Sequence, residues 1–284
     1  MNSAKDLLDF NKNFAIEYVK REDVSSMSSN HYHNHYEIYY QLSGERYYFI
    51  KDRAYYVKKG DIVLINKYEL HKTTYAGANT YERILIDFKE DFLAPFTASI
   101  KDIEILACFN RDIPVISSSI NDTGFIEGLF NKMLNENKKE APGYNTYLSI
   151  CLIELLIFIN RLKDKPQNNY LEYPSALHKK ISEIAKYINN NYTQDLSLKI
   201  IAEQFYVSQF YLSRTFKAVT GFTFTEYLNN IRIKEAQKFL KNTNLSITEI
   251  ASIVGFESAT HFGRVFKLVT MLSPLKYRKS VFKY

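Results

Sequence analysis

The sequence predicts an α+β fold in two domains: an antiparallel β-barrel with helices after it, then an all-α domain holding two helix-turn-helix units. Three observations carry that expectation. From Ile201 onward, one pattern of short helix, tight turn and second helix is written twice. From His33 to Phe88, short segments rich in Tyr, Ile and Val alternate with turn residues. Charge divides along the chain as well, residues 1–170 summing to −2 and residues 171–284 to +8. A chain of 284 residues is long enough for two cores, and we place the domains at residues 1–165 and 174–284.

Taken in order, the N-terminus Met1-Asn-Ser-Ala-Lys-Asp-Leu-Leu-Asp9 has acidic residues where a signal peptide needs an apolar run. The segments Glu37–Leu42, Arg46–Ile50, Ala54–Val57 and Asp61–Ile65 are spaced like barrel strands. They are broken by Gly44, Lys51-Asp52 and Gly60-Asp61, with further breaks at Asn66-Lys67 and Gly77-Ala-Asn79. Tyrosine is dense here, at Tyr36, Tyr39, Tyr40, Tyr47, Tyr48, Tyr55, Tyr56, Tyr75 and Tyr81. Facing inward, phenols suit a sugar or another polyhydroxylated or aromatic metabolite; facing elsewhere, they are core and exterior. Lys, Asn, Ile and Tyr are abundant over the whole chain, which weakens any meaning of tyrosine number alone.

Gly124–Lys138 and Asn145–Lys163 have helical periodicity, the second with an apolar stripe of Leu148, Leu152, Leu155, Leu156 and Ile159. Its most apolar part, Tyr147–Ile159, is too short to span a bilayer and contains Glu154. Cys108 and Cys151 lack ligand spacing and read as reduced core residues of a cytoplasmic protein. The polar, Pro-containing Lys163-Asp-Lys-Pro-Gln-Asn-Asn169 is the expected linker.

In the C-terminal domain, Ile201–Gly221 aligns with Ile250–Met271, with one residue inserted in the second turn; the match is tightest at Ser213-Arg-Thr-Phe-Lys217 against Gly263-Arg-Val-Phe-Lys267. Ser246-Ile-Thr-Glu249 and Thr223-Phe-Thr-Glu226 are capping boxes, a hydroxyl and a carboxylate three apart satisfying the first free amides of a helix. Gly255 supplies a turn residue that can take positive φ. Ser208 caps one second helix and Ser258 or Glu257 the other; Leu212, Phe216 and Val219, and Phe262, Phe266 and Val269, form their inward stripes. Gln209, Phe210, Ser213, Arg214 and Lys217 then look outward in the first unit, and Ser258, Ala259, Thr260, Gly263, Arg264 and Lys267 line the same face of the second. An Arg on such a face can bridge guanine O6 and N7, and apolar groups can meet thymine methyls. The helix through Tyr227, Leu228, Ile231, Ile233, Ala236, Phe239 and Leu240 spaces the two units, and Ser273-Pro274 opens a last short helix.

The stretch from about Ile181 to Arg278 resembles the DNA-binding domain of the AraC/XylS family of bacterial transcription regulators. The residues that carry the resemblance are Leu196-Ser-Leu198, Ile201-Ala202, Val207-Ser208, Tyr211-Leu-Ser-Arg214, Phe216-Lys217, Gly221, Arg232-Ile233, Ala236, Ile250-Ala251, Val254-Gly-Phe256, Arg264-Val-Phe266, Ser273-Pro274 and Tyr277-Arg278. Gln209, Gly263 and Met271 stand where the family usually has Pro, Ser and Gly. His31-x-His33-x-x-x-Glu37, then Gly44, Gly60-Asp61 and His71, resembles the cupin-like sensor domain of the same family. The resemblance implies a cytoplasmic regulator, an activator by expectation, with promoter DNA, RNA polymerase and a small-molecule effector such as a sugar as partners. It also implies a homodimer paired through the stripe on the second helix, the reading we favour, although packing of that stripe on the barrel would explain the same stripe.

For the effector we single out His33, Glu37, Tyr39 and His71. The first three share parity on one expected strand, whereas His71, expected on a loop, joins them only through the resemblance. His31, His33 and Glu37 also have the spacing of a cupin's first metal motif, but Asp61-Ile-Val-Leu-Ile65 after Gly60 holds no further His, so neither metal nor cofactor is expected. No nucleophile elbow, phosphate-binding Gly loop or paired-Cys site is present, so no catalytic residue is assigned and the chain reads as a non-enzyme. Two rival readings stay open: a ligand-independent regulator, and a metal-dependent cupin enzyme fused to a DNA-binding domain.

Overall fold

The structure is a computed structural model that describes residues 12–22, 33–77, 80–97, 100–162 and 173–281. The residues Met1–Asp9, His31, Ala78-Asn79 and the expected linker Lys163–Asn169 lie outside the described residues. The fold is α+β. The chain divides into two compact units: one runs to Pro174 apart from Lys51–Ala54, the other begins at Ser175 and includes Lys51–Ala54.

The first unit is built on two antiparallel sheets. The larger takes β1 (Phe14–Arg21), β7 (Tyr81–Phe88), β2 (Tyr36–Ser43), β5 (Asp61–Ile65) and β8 (Val115–Ser117) in that spatial order; the smaller takes β4 (Arg53–Lys58), β3 (Glu45–Ile50) and β6 (His71–Tyr75). Side chains alternate across a strand, so one register serves two cores. Tyr36, Ile38 and Tyr40 join Ile62, Leu64, Ile84, Ile86 and Phe88 against the helices α2 (Ile120–Lys139) and α3 (Tyr144–Arg161). On the opposite face Tyr39, Val63, Ile65 and Leu85 meet Tyr48, Ile50, Tyr55 and Val57 of the smaller sheet. Covering on both faces explains why Asp61–Ile65 is buried throughout instead of alternating. The stripe of Leu148, Leu152, Leu155, Leu156 and Ile159 on α3 is spent inside this unit, in the core beneath the larger sheet. That overturns its assignment as the dimer contact in favour of packing on the barrel. Between strands β7 and β8 lie α1 (Glu90–Thr97) and a 3-10 turn, Ala107–Asn110.

The second unit is helical: α4 (Ala176–Asn191), α5 (Leu198–Gln204), α6 (Gln209–Thr220), α7 (Phe224–Asn242), α8 (Ile247–Ile253), α9 (Ala259–Thr270) and α10 (Pro274–Val281). Both capping boxes read from the sequence form, at Thr223 with Glu226 and at Ser246 with Glu249. Helix α7 gives Ile233, Ala236 and Leu240 to a core shared with Ile250, Val254, Phe262, Phe266 and Tyr277. Among the described residues no helix is long and apolar enough to cross a membrane.

Candidate DNA-binding face and sensor site

Each helix-turn-helix unit is fixed by one left-handed residue and one serine. Tyr206 (φ 53°) turns the chain from α5 toward α6, and Gly255 (φ 89°) turns it from α8 toward α9. The Ser208 hydroxyl then accepts from the Tyr211 amide and the Ser258 hydroxyl from the His261 amide, which starts the outward helices. Gly255 is the crowded one of the two: a Cβ there would lie 2.8 Å from the Tyr192 carbonyl and 2.9 Å from that of Thr193. Those carbonyls belong to the end of α4, where Arg232 of α7 also docks, its Nε donating to Tyr192 O and its Nη2 to Gln194 O, both at 2.8 Å. The guanidinium of Arg232 also lies over the Phe256 ring, so α4, α7 and the second turn are tied at one point.

Gln209, Phe210, Ser213, Arg214 and Lys217 are all exposed, as are Ser258, Thr260, Arg264 and Lys267. Phe210 is 79% exposed, a placement that costs about 1.5–3 kcal/mol of forgone burial for an aromatic with no function on the surface. One of the outward residues needs correction. Ala259 is partly buried because it packs against the core of its own unit, whereas a Cβ at the partly buried Gly263 would meet nothing within 4 Å, so that position faces outward. Two exposed residues were missed: Tyr211 and His261 occupy equivalent positions one residue before the core residues Leu212 and Phe262. The 3.6-residue period puts them on the flank of the same face as Arg214 and Arg264, so counting one further position from each cap would have found them.

In the first unit three of the four sensor candidates converge. His33 Nε2 is 3.4 Å and His71 Nε2 3.5 Å from Glu37 Oε2. Neither histidine sits where the sequence suggested. His33 precedes β2 and reaches the site from the loop, while His71 opens β6, paired with Ile50. That pairing puts His71 on the face of the smaller sheet that carries Tyr48, toward β2. Tyr39 faces the same interior one step along β2, donates to Gln41 and packs edge-on to Tyr48. Tyr48, missed as a site residue, joins the two halves, its hydroxyl donating to Glu37 Oε1 at 2.8 Å. Its parity on β3 was legible; its partner across the two sheets was not.

Burial pushes the Glu37 carboxyl up, but His71 and His33 outweigh it and hold the group well below the usual carboxylate range. Burial opposes charge on His71 as well, yet Glu37 beside it raises the imidazole above its ordinary value. For His33 burial wins and the value is lowered. Farther along the interior, Arg83 lies over the Tyr39 ring and reaches Glu17, and the buried Arg46 lies over the Tyr81 ring. A separate cavity of about 500 Å³ opens between α1, α2 and α3, lined by Phe14, Phe92, Tyr144 and Leu148 among others. None of the four sensor candidates lines it.

Residues 15–136 match the family model described as AraC-like ligand binding domain, and residues 201–280 the one described as Helix-turn-helix domain. The HTH-type transcriptional regulator YfiF of Bacillus subtilis is 31% identical over 285 residues, spanning 93% of this chain and 86% of its own. The chain belongs to the AraC/XylS family. It is a DNA-binding transcription regulator with a ligand-binding domain, not an enzyme. The activator RhaR of an Enterobacter species is 26% identical over 88% of this regulator and 86% of its own length. Among solved structures, the C-terminal domain of AraT, a response regulator from Geobacillus stearothermophilus, is 36% identical over 37% of this regulator and 88% of that chain, with a TM-score of 0.36.

Proposed function

We propose that the regulator is a cytoplasmic, effector-controlled activator that binds promoter DNA through α6 and α9, with domains at residues 1–165 and 174–284. The observation that carries the DNA face is a solvent-exposed row of Gln209, Phe210, Ser213, Arg214 and Lys217 on α6 and a matching row of Thr260, Arg264 and Lys267 on α9, in the half of the chain that holds the positive charge. Ser258, Ala259 and Gly263 complete the second row as close-approach positions, since small residues let a helix start lie near a phosphate or base edge. Selection of bound sequences from a random duplex library by the full chain tests this: two half-sites about one helical turn apart are expected, and recovery of no shared sequence would refute it.

The effector reading rests on the polar interior of the first unit. Glu37, Arg46, Asp87 and Arg83 are all buried between two sheets, with Tyr39 and Gln41 among them. Burying that many charges stabilises a fold poorly, which favours a role in recognition. His33, Glu37, Tyr39 and His71 are the contacts we assign to the effector, with a sugar as one class that such donors and acceptors suit. The 500 Å³ cavity beside Phe92 and Tyr144 supports a second reading, an effector bound outside the sheets. A thermal-shift screen of sugars and aromatic acids separates them, because a true ligand of the interior loses its stabilisation in Tyr39→Phe, and a ligand of the cavity loses it in Leu148→Trp. Pairing of two regulators and contact with RNA polymerase belong to the same proposal. For the pairing, Tyr147 and Ile150, exposed on the outer side of α3, are the apolar contacts available.

A further inference from the structure

We infer that the interior of the first unit holds one divalent transition-metal ion on His33 Nε2, Glu37 Oε2 and His71 Nε2. This deepens the effector reading, since the same three side chains would then meet the effector through the ion, and metal binding is tested without any effector. The first argument is spacing. Two donors about 2.1 Å from one ion, at a tetrahedral angle, lie about 3.4 Å from each other. The two histidine-to-carboxylate separations are 3.4 Å and 3.5 Å, and all three donor atoms lie within 4.8 Å of one another.

The second argument is which nitrogen carries hydrogen. His33 Nδ1 lies 3.0 Å from the His35 carbonyl and His71 Nδ1 2.8 Å from the Glu69 carbonyl. A carbonyl only accepts, so in each ring the hydrogen sits on Nδ1 and Nε2 of the neutral imidazole presents its lone pair to the site. Imidazoles that ligate metals are held in this way, by a carbonyl or carboxylate on the far nitrogen. At His33 the consequence is direct: its buried Nε2 makes no hydrogen bond and points its lone pair at a carboxylate oxygen, an arrangement that a cation between them relieves.

The third argument is that the carboxylate is already oriented. Tyr48 donates to Oε1 of Glu37, which leaves Oε2 for the ion. The neighbouring His35 Nε2 is engaged 3.6 Å from Asp87 Oδ2 and stacks on His33, so it supports the ring without joining the set. Two imidazoles and one carboxylate select zinc, cobalt, nickel, iron(II) or manganese over calcium and magnesium. Three protein donors also leave the ion at least one position for water or an effector oxygen.

The test uses tag-free full-length regulator, stripped with a chelator, dialysed, and titrated with cobalt(II) while the visible absorption is followed. One cobalt per chain with ligand-field bands is expected, displaced by zinc. His71→Gln and Glu37→Gln should each weaken binding by at least tenfold, and Tyr48→Phe, which keeps the ring and removes only the hydroxyl, by about 10–100-fold. Circular dichroism identifies any variant that fails to fold. If both ligand variants fail, the wild-type stoichiometry and Tyr48→Phe decide. Absence of bound cobalt in the wild type, or unchanged affinity in the folded variants, overturns the assignment.

Discussion

Met271 takes the same left-handed backbone as Gly221, φ 60° against 82°, each at the end of the outward helix of its helix-turn-helix unit. For Gly221 that conformation carries no Cβ penalty, and its amide closes the helix on Lys217 O at 2.9 Å. For Met271 it costs about 1–2 kcal/mol, and the side chain, 71% exposed, recovers little by packing. Met271→Gly should therefore stabilise the regulator by about 0.5–1 kcal/mol after the entropy of a freer unfolded glycine is subtracted. Urea unfolding of the full chain measures this. A lower midpoint for Met271→Gly would mean that the methionine side chain is held by contacts worth more than the strain.

That turn also shows how much the sequence made legible. Serine caps, capping boxes and the 3.6-residue stripe are local signals, and they placed α5 to α9 and the outward face from residue types alone. The departure from Gly to Met left the local backbone undecided, because φ at a helix end depends on the packing of the next helix as much as on the residue itself. In the first unit β2 to β5 were legible from Tyr-, Ile- and Val-rich segments set between turn residues, but β1, β6, β7, β8 and the site were not. Tyr48, His71 and Glu37 come together only through the pairing of β3 with β6 and the stacking of two sheets, and His33 enters from a loop. Register across sheets leaves no periodic trace in the chain. The His71 position was readable only by resemblance for that reason.

The crowding around Gly255 makes a sharper stability prediction. An alanine there must hold φ near 89° and place its Cβ within 3 Å of the carbonyls of Tyr192 and Thr193, neither of which can rotate away as a side chain would. Gly255→Ala should cost about 2–4 kcal/mol, combining left-handed strain with displaced backbone. Tyr206, at the corresponding turn of the first unit and 94% exposed, provides the contrast. Tyr206→Ala should change stability by less than about 0.5 kcal/mol, since the strain is already present. Equal effects at the two turns would show that the close approach at Gly255 is relieved by movement of α4.

Cys108 supplies a prediction in pH. Burial pushes its thiol up to about 12, and Cys151 is raised for the same reason. Neither should react with a thiol reagent at pH 8 in the folded regulator, and both should react on unfolding. The sign of the linked stability comes from proton counting. Above the ordinary value near 9 the unfolded chain releases this proton while the folded chain keeps it, so stability falls as pH rises from about 9 to about 12. The contribution of one thiol is at most about 1.4 kcal/mol per pH unit, and Cys108→Ala should remove it. A native thiol that reacts at pH 8 as fast as a free cysteine would contradict the burial of this group.

The two basic residues of α6 should separate readout from attraction. Arg214 and Lys217 are both exposed on the face opposite Leu212 and Phe216, one turn apart along the helix. Arg214 lies nearer the helix start, which in a helix-turn-helix approaches base edges, and its planar fork can bind guanine O6 and N7 together. Lys217 lies a turn later, where a point charge meets phosphate. Arg214→Ala should cost about 1–3 kcal/mol and relax sequence preference at the bases it meets. Lys217→Ala should weaken binding to every sequence alike and lower the slope of log affinity against log salt by about one. In the second unit Ala259 and Gly263 offer little side chain, so Arg264→Ala should affect preference less than Arg214→Ala. Fluorescence anisotropy on the selected duplex and on single-base variants, at several salt concentrations, distinguishes the three. If Arg214→Ala left both affinity and preference unchanged while Arg264→Ala abolished them, the second helix-turn-helix would be the reader and the assignment of faces would have to be exchanged.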